Sequence, residues 1–147
     1  MSRKFRFSRT TFENLVRHLV EIEEGKNRLL QEYFPEPSAE RNEFAKLFDQ
    51  YIRKVDNLVK NASISEEHED ALPFVTINSR VEVEDTESKE SYLFRIVTPY
   101  ESTAENGDIS YLSPVGKSLL MRKPGEKVEV KAPGGTFSYK IKSIKRP

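Results

Sequence analysis

Apolar residues recur along the first sixty positions with the spacing of helices that each bury one stripe. From Phe12 they fall at Leu15, Leu19, Ile22, Leu29 and Tyr33. With Lys26 filling one slot, the steps alternate between three and four, as in a coiled-coil seam. Val16, Val20 and Leu30 widen the stripe. Ser8 or Thr10 offers an N-cap, because a hydroxyl oxygen can accept from a first-turn backbone N–H. Gly25 costs roughly 1 kcal/mol inside a helix and marks a candidate bend. Phe34-Pro35-Glu36-Pro37 ends the pattern, since two prolines forbid continued helix.

Ser38 offers the next N-cap, and Phe44, Phe48, Tyr51, Val55, Leu58 and Ala62 continue in steps of four and three. Two seams of similar length on either side of a proline turn predict an antiparallel helical hairpin, with arms of about 24 residues and roughly 35 Å long. The period then changes. Residues 65–73 are polar and acidic and read as a linker. Beyond them, alternation predicts strands at Phe74–Ile77, Val81–Glu84, Tyr92–Val97, Ile109–Tyr111, Val128–Val130 and Phe137–Ile144, with turns at Glu105–Asp108 and Pro133–Gly135. Ser113 as cap and Pro114 at the first helical position predict a short helix through Met121. The expected organisation is α+β. A coiled-coil hairpin over 1–64 precedes the 65–73 linker and an antiparallel sheet domain with one short helix over 74–147.

Composition refines this picture. Hydrophobic residues make up 36% of the 147, below the roughly 45–50% of an average globular chain, as a two-helix rod with little core requires. There is no cysteine, which excludes disulfides and cysteine–zinc sites. No apolar run reaches the ~18 residues of a membrane span, and the basic start lacks the apolar core of a signal peptide. A cytoplasmic location is expected. The 24 basic and 24 acidic residues cancel but are unevenly placed. Residues 1–59 hold 11 basic and 10 acidic, residues 60–107 hold 4 and 11, and residues 108–147 hold 9 and 3. Such asymmetry points to macromolecular partners rather than to a buried small-molecule site.

Enzymatic signatures are sparse. Gly116-Lys117-Ser118 has the ending of a phosphate-binding loop, but the first glycine of that motif would fall at Tyr111, and Pro114 stands where the loop must wrap. His18 sits beside the helical seam and His68 in the acidic segment, with no second histidine at metal-ligand spacing. The hairpin turn holds more chemistry. Glu32, Glu36 and Glu40 flank the reversal, and exposed carboxylates on a rigid tip can share a magnesium ion held by another protein, since magnesium prefers oxygen ligands and keeps several waters. Glutamates near helix ends also arise simply to complement a helix dipole.

The stretch Asp108-Ile109-Ser110-Tyr111-Leu112-Ser113-Pro114-Val115-Gly116-Lys117-Ser118-Leu119-Leu120 resembles the carboxy-terminal domain of the bacterial GreA/GreB transcript-cleavage factors. So does Pro124-Gly125-Glu126-Lys127-Val128-Glu129-Val130-Lys131-Ala132-Pro133-Gly134-Gly135. The shared order is I-S-x-x-S-P-x-G-x-x-L-L, a G-[DE]-x-V-x-V strand and a P-G-G turn. Val75–Val81 is similar to Rnk, a shorter relative, and the hairpin ending in Lys60-Asn61-Ala62-Ser63-Ile64 is similar in layout to the Gre coiled coil.

The resemblance implies an FKBP-like domain that docks on RNA polymerase at the rim of its secondary channel, while the coiled coil enters the channel. It implies that Ser113 and Pro114 belong to the docking motif, with Leu112 at a preceding position the family often fills with an acid. It also implies that the factor is not itself an enzyme. In Gre factors an acidic tip of pattern G-D-x-x-E-N helps hold the second catalytic magnesium for RNA cleavage. Here the corresponding stretch is Gln31-Glu32-Tyr33-Phe34-Pro35-Glu36-Pro37-Ser38, on a hairpin that reads as shorter by roughly 7 Å of reach. Glu36 is the candidate shared magnesium ligand, and no cofactor of the chain's own is expected. Three alternatives stand beside cleavage stimulation: a Rnk-like or inhibitory channel binder, a coiled-coil adaptor, and a peptidyl-prolyl isomerase suggested by fold analogy alone. A monomer is expected, without membrane contact or direct specific DNA binding.

Overall fold

The computed structural model describes residues 5–67, 71–100 and 107–146. The chain divides between residues 69 and 70 into two compact units.

The first unit is a helical hairpin closed at its open end by a small sheet. Strand β1 (Phe5–Phe7) leads into α1 (Arg9–Tyr33), which is followed by α2 (Ala39–Lys60) and β2 (Ala62–Ile64). Ser8 caps α1 by accepting from the Thr11 N–H at 3.1 Å, and Ser38 caps α2 by accepting from the Arg41 N–H at 3.0 Å. The arms contain 25 and 22 residues, about 37 and 33 Å at the helical rise, and α1 runs through Gly25 without a break. Leu15, Ile22, Leu29 and Leu30 of α1 are buried against Phe44, Phe48, Tyr51, Val55 and Leu58 of α2. The antiparallel register shows in the cross-pairs: His18 meets Tyr51, Lys26 meets Asp49, and Phe34 meets Phe44.

Two seam expectations are corrected. Tyr33 is 39% exposed, because Leu30 rather than Tyr33 fills the last layer before the turn. Ala62 is buried, but in β2 and not in α2. The sequence gives no periodic sign of β1 or β2, which are three residues each and pair in parallel, Phe5 with Ala62 and Phe7 with Ile64. This pairing buries Phe7 and ties the start of the chain to the end of the hairpin.

The second unit is a five-stranded sheet in the order β5-β4-β3-β7-β6 with one helix. Its strands are β3 (Arg80–Asp85), β4 (Ser91–Val97), β5 (Asp108–Ser110), β6 (Lys127–Ala132) and β7 (Gly135–Lys145), and α3 (Pro114–Leu119) lies between β5 and β6. The expected all-antiparallel sheet is mixed: β5 runs parallel to β4, with Arg95 beside Asp108 and Ile96 beside Ile109. Alternation holds on the central strands. Val81, Val83, Ile96, Val128, Val130, Tyr139 and Ile141 form the covered face, and the residues between them face outward.

Phe74–Ile77 is not a strand. These residues are buried, but their backbone is satisfied piecemeal. The Val75 N–H donates to the Arg122 carbonyl at 2.9 Å, and the Ser79 hydroxyl accepts from the Thr76 N–H and donates to the Thr76 carbonyl. Four consecutive buried residues lack the two-residue period of a half-exposed strand. Residues 71–73, read from composition as linker, join this core: Leu72 is buried and its N–H donates to the Ile144 carbonyl at 3.0 Å. Glu105 and Asn106 of the expected turn lie outside the described residues.

Candidate functional site

Residues 34–38 turn the hairpin, and both helices hold that turn. Phe34 closes α1, its N–H donating to the Leu30 carbonyl at 2.9 Å, and its ring stacks on Phe44 with centroids 5.2 Å apart. Arg41 reaches back from α2 to donate from Nη1 to the Phe34 carbonyl at 3.1 Å. Pro35 and Pro37 fix φ on either side of Glu36. Glu36 and Glu40 are exposed, and Glu40 lies in the first turn of α2, where a carboxylate complements the helix dipole. Glu32 accepts from Arg28 Nε at 2.9 Å, one turn back on α1.

Among the described residues no three or more His, Cys, Asp or Glu side chains are placed to hold a metal ion. The tip carboxylates therefore do not form a chelating set.

In the second unit, Ser113, Pro114 and Leu112 form one compact turn between β5 and α3. The Ser113 hydroxyl donates to the Ser110 carbonyl at 2.7 Å and accepts from the Gly116 N–H at 3.1 Å, so one side chain ties β5 to the first turn of α3. The Leu112 N–H donates to Ser110 Oγ at 3.1 Å, and Leu112 is half-buried. Pro114 is exposed at the helix start. Gly116 makes the close approach possible: a Cβ there would stand 2.1 Å from the Ser110 carbonyl oxygen and 2.9 Å from Tyr111 Cα.

Beside this turn lies an open groove of about 460 Å3 lined by Pro114, Lys117, Ser118, Glu129 and Lys131. Glu129 and Lys131 were not among the residues expected from sequence. Their alternation with Val128 and Val130 marks them as outward-facing, but only the packing of α3 along β6 brings them to Pro114. Tyr111, where a phosphate loop would need its first glycine, is buried, and Lys117 sits in a helix of six residues. This stretch forms the capped start of α3.

Two polar contacts stiffen the hairpin. His18 Nε2 lies 2.7 Å from Tyr51 Oη, and burial lowers its pKa to about 4, so the ring is neutral at physiological pH. Lys26, in the otherwise apolar seam, pairs with Asp49 across the helices. His68 lies outside the described residues.

Residues 70–146 match the family described as "Transcription elongation factor, GreA/GreB, C-term", more than half of the chain. The chain belongs to the GreA/GreB family. Among its relatives is the transcription elongation factor GreA of Clostridium kluyveri, 41% identical over 95 residues, or 65% of this chain and 60% of that protein. The Clostridioides difficile GreA is 41% identical over 98 residues, 67% of this chain and 62% of that protein. The chain thus matches about three-fifths of the length of these relatives. The solved GreA/GreB factor of Nitrosomonas europaea has the same fold, with a TM-score of 0.53 at 23% identity, covering 97% of this chain and 99% of that one. Leu112, Ser113 and Pro114 lie inside the family-matched segment, and the hairpin tip lies outside it. No helix among the described residues is long and apolar enough to cross a membrane.

Proposed function

We propose that this GreA/GreB-family chain binds bacterial RNA polymerase at the rim of its secondary channel through the Leu112-Ser113-Pro114 turn and extends the hairpin tip into the channel. It acts there as a monomer in the cytoplasm, modulating elongation without catalysing a reaction itself. The observation that carries this reading is the docking turn: Ser113 and Gly116 lock its backbone while Pro114 stays exposed beside Lys117 and Lys131. A presented, rigid turn loses little freedom on binding. The test is capture of core RNA polymerase by the chain, with and without a competing GreA factor. Wild type is captured and the competitor displaces it, while Pro114→Glu captures far less. Capture that no GreA factor displaces overturns the assignment.

Two activities at the tip are compatible with this docking. In the first, the hairpin occupies the channel without stimulating cleavage, and the engagement of Glu32 by Arg28 supports it. In the second, Glu36 joins a magnesium ion held by the polymerase and promotes RNA cleavage, and its exposed position between two prolines supports that. Glu36→Gln separates them in a stalled-complex assay. The second activity requires cleavage above the polymerase's own rate with wild type and its loss in the variant at unchanged binding.

A further inference from the structure

Strand pairing sets three basic side chains in a row across the open face of the sheet. Arg80 begins β3, and directly opposite it stand Arg95 on β4 and Lys145 on β7. Arg80 and Lys145 are exposed. Arg95 is committed locally: its Nε and a terminal nitrogen grip the two oxygens of Asp108 at 3.1 and 3.0 Å, and that carboxylate is only 6% exposed. Among the described residues no carboxylate makes an ion pair with Arg80 or Lys145. Like charges directly opposite one another weaken a sheet, so the fold gains nothing from this row by itself.

The same face carries an apolar anchor. Leu93 stands two residues before Arg95 and is 58% exposed. It borders a groove of about 330 Å3 with Arg80, Phe94, Arg95 and Asp108. Glu82, exposed and opposite Leu93, adds one negative charge to this face. By strand register Tyr92 and Phe94 alternate to the other face, and Phe94 also borders the groove. An exposed leucine set among basic side chains suits a protein segment that carries an apolar side chain better than a nucleic-acid backbone, which has no apolar group to meet Leu93.

From this charge complementarity we infer that the Arg80–Arg95–Lys145 face receives an acidic protein segment bearing one apolar side chain. The inference rests on the proposed polymerase docking: the segment belongs to RNA polymerase and gives the second unit a contact additional to the Ser113-Pro114 turn. Arg80 and Lys145 meet its carboxylates, and Leu93 meets its apolar side chain.

The test uses the full chain carrying a fluorescent label, titrated with core RNA polymerase across a salt series. Arg80→Glu with Lys145→Glu weakens binding roughly tenfold at low salt and flattens the salt dependence, as lost charge steering requires. Leu93→Ser weakens binding a few-fold and leaves the salt dependence unchanged. Thermal unfolding of each variant checks the fold, and the Arg80→Ala, Lys145→Ala pair repeats the measurement without reversed charge. Wild-type affinity in all of these variants overturns the inference while leaving polymerase docking intact, whereas failure of wild type to bind overturns both. A binding loss seen equally with a short single-stranded RNA, or a wild-type dimer that the double variant abolishes, gives the face to another occupant and overturns the inference.

Discussion

Gly116→Ala sets helix propensity against packing, and the structure decides which effect wins. By propensity alone, alanine in a helix is favoured over glycine by about 1 kcal/mol. The Cβ it adds, however, would stand 2.1 Å from the Ser110 carbonyl oxygen and 2.8 Å from the carbon behind it, about 1 Å inside ordinary contact of roughly 3.3 Å. Both neighbours are backbone, so relief requires moving α3 away from β5 as a unit. That movement opens the Ser113 bonds to Ser110 and Gly116 and unseats Leu119, which is fully buried on the same helix. Overpacking of a core costs about 1–3 kcal/mol. With a broken cap bond added, a loss of about 2–4 kcal/mol is expected in the second unit.

Gly25→Ala is the control of opposite sign. No atom lies within 4 Å of the Cβ it would add in α1, so propensity acts alone and stabilises the hairpin by about 0.5–1 kcal/mol. Urea unfolding followed by hydrogen exchange, read peptide by peptide, assigns each change to its unit. A neutral or stabilising Gly116→Ala refutes the close-approach account of the turn between β5 and α3. A Gly25→Ala that destabilises the hairpin refutes the corresponding account of α1.

Ser113→Ala removes both a cap and a donor to Ser110, so it should cost more than Ser38→Ala, about 2 against about 1 kcal/mol by denaturant unfolding. His18 is held neutral in the hairpin with its pKa lowered to about 4, whereas the unfolded chain protonates near pH 6.5. Stability of the first unit is therefore complete above pH 6.5, falls by about 2–3 kcal/mol as pH drops to about 4, and levels below that. His18→Gln should remove the part of this slope between pH 5 and 6.5, measured by thermal unfolding against pH. Arg95→Ala strands the nearly buried Asp108 carboxylate and should cost about 2–3 kcal/mol, while the Arg95→Leu, Asp108→Leu pair should cost less than Arg95→Ala alone.

Much of the fold could be read from local pattern because its signals are short-ranged. The hairpin follows from steps of three and four, from serine caps at both helix starts and from two prolines at the turn. The start of α3 follows from Ser113 as cap and Pro114 at the first helical position, whereas the close approach of Gly116 to Ser110 shows only in the structure. What sequence did not show depends on pairing over long separations. Strands β1 and β2 lie more than fifty residues apart and are too short to have a period. The parallel placement of β5 becomes visible only once Arg95 is seen to grip Asp108. Spacing alone places Tyr33 in the seam, but Leu29 and Leu30 are the buried positions before the turn and Tyr33 lies outside them.

The candidate sites divide along the same line. The position of Glu36 between two prolines is legible from sequence, but how firmly it is held is not. That firmness comes from Arg41, which crosses the turn to the Phe34 carbonyl, and from Phe44, which stacks on the Phe34 ring. Both belong to α2, so α2 supports the end of α1, and the turn cannot swing without breaking contacts with both helices. A carboxylate that is to join a metal held by another protein must be placed to within tenths of an ångström. The same stiffness fixes the reach of the tip: a turn tied to both arms cannot stretch to compensate for helices that stop short. In the proposed docking, seating depth at the Ser113-Pro114 turn therefore decides whether Glu36 meets the metal or the tip fills the channel ahead of it.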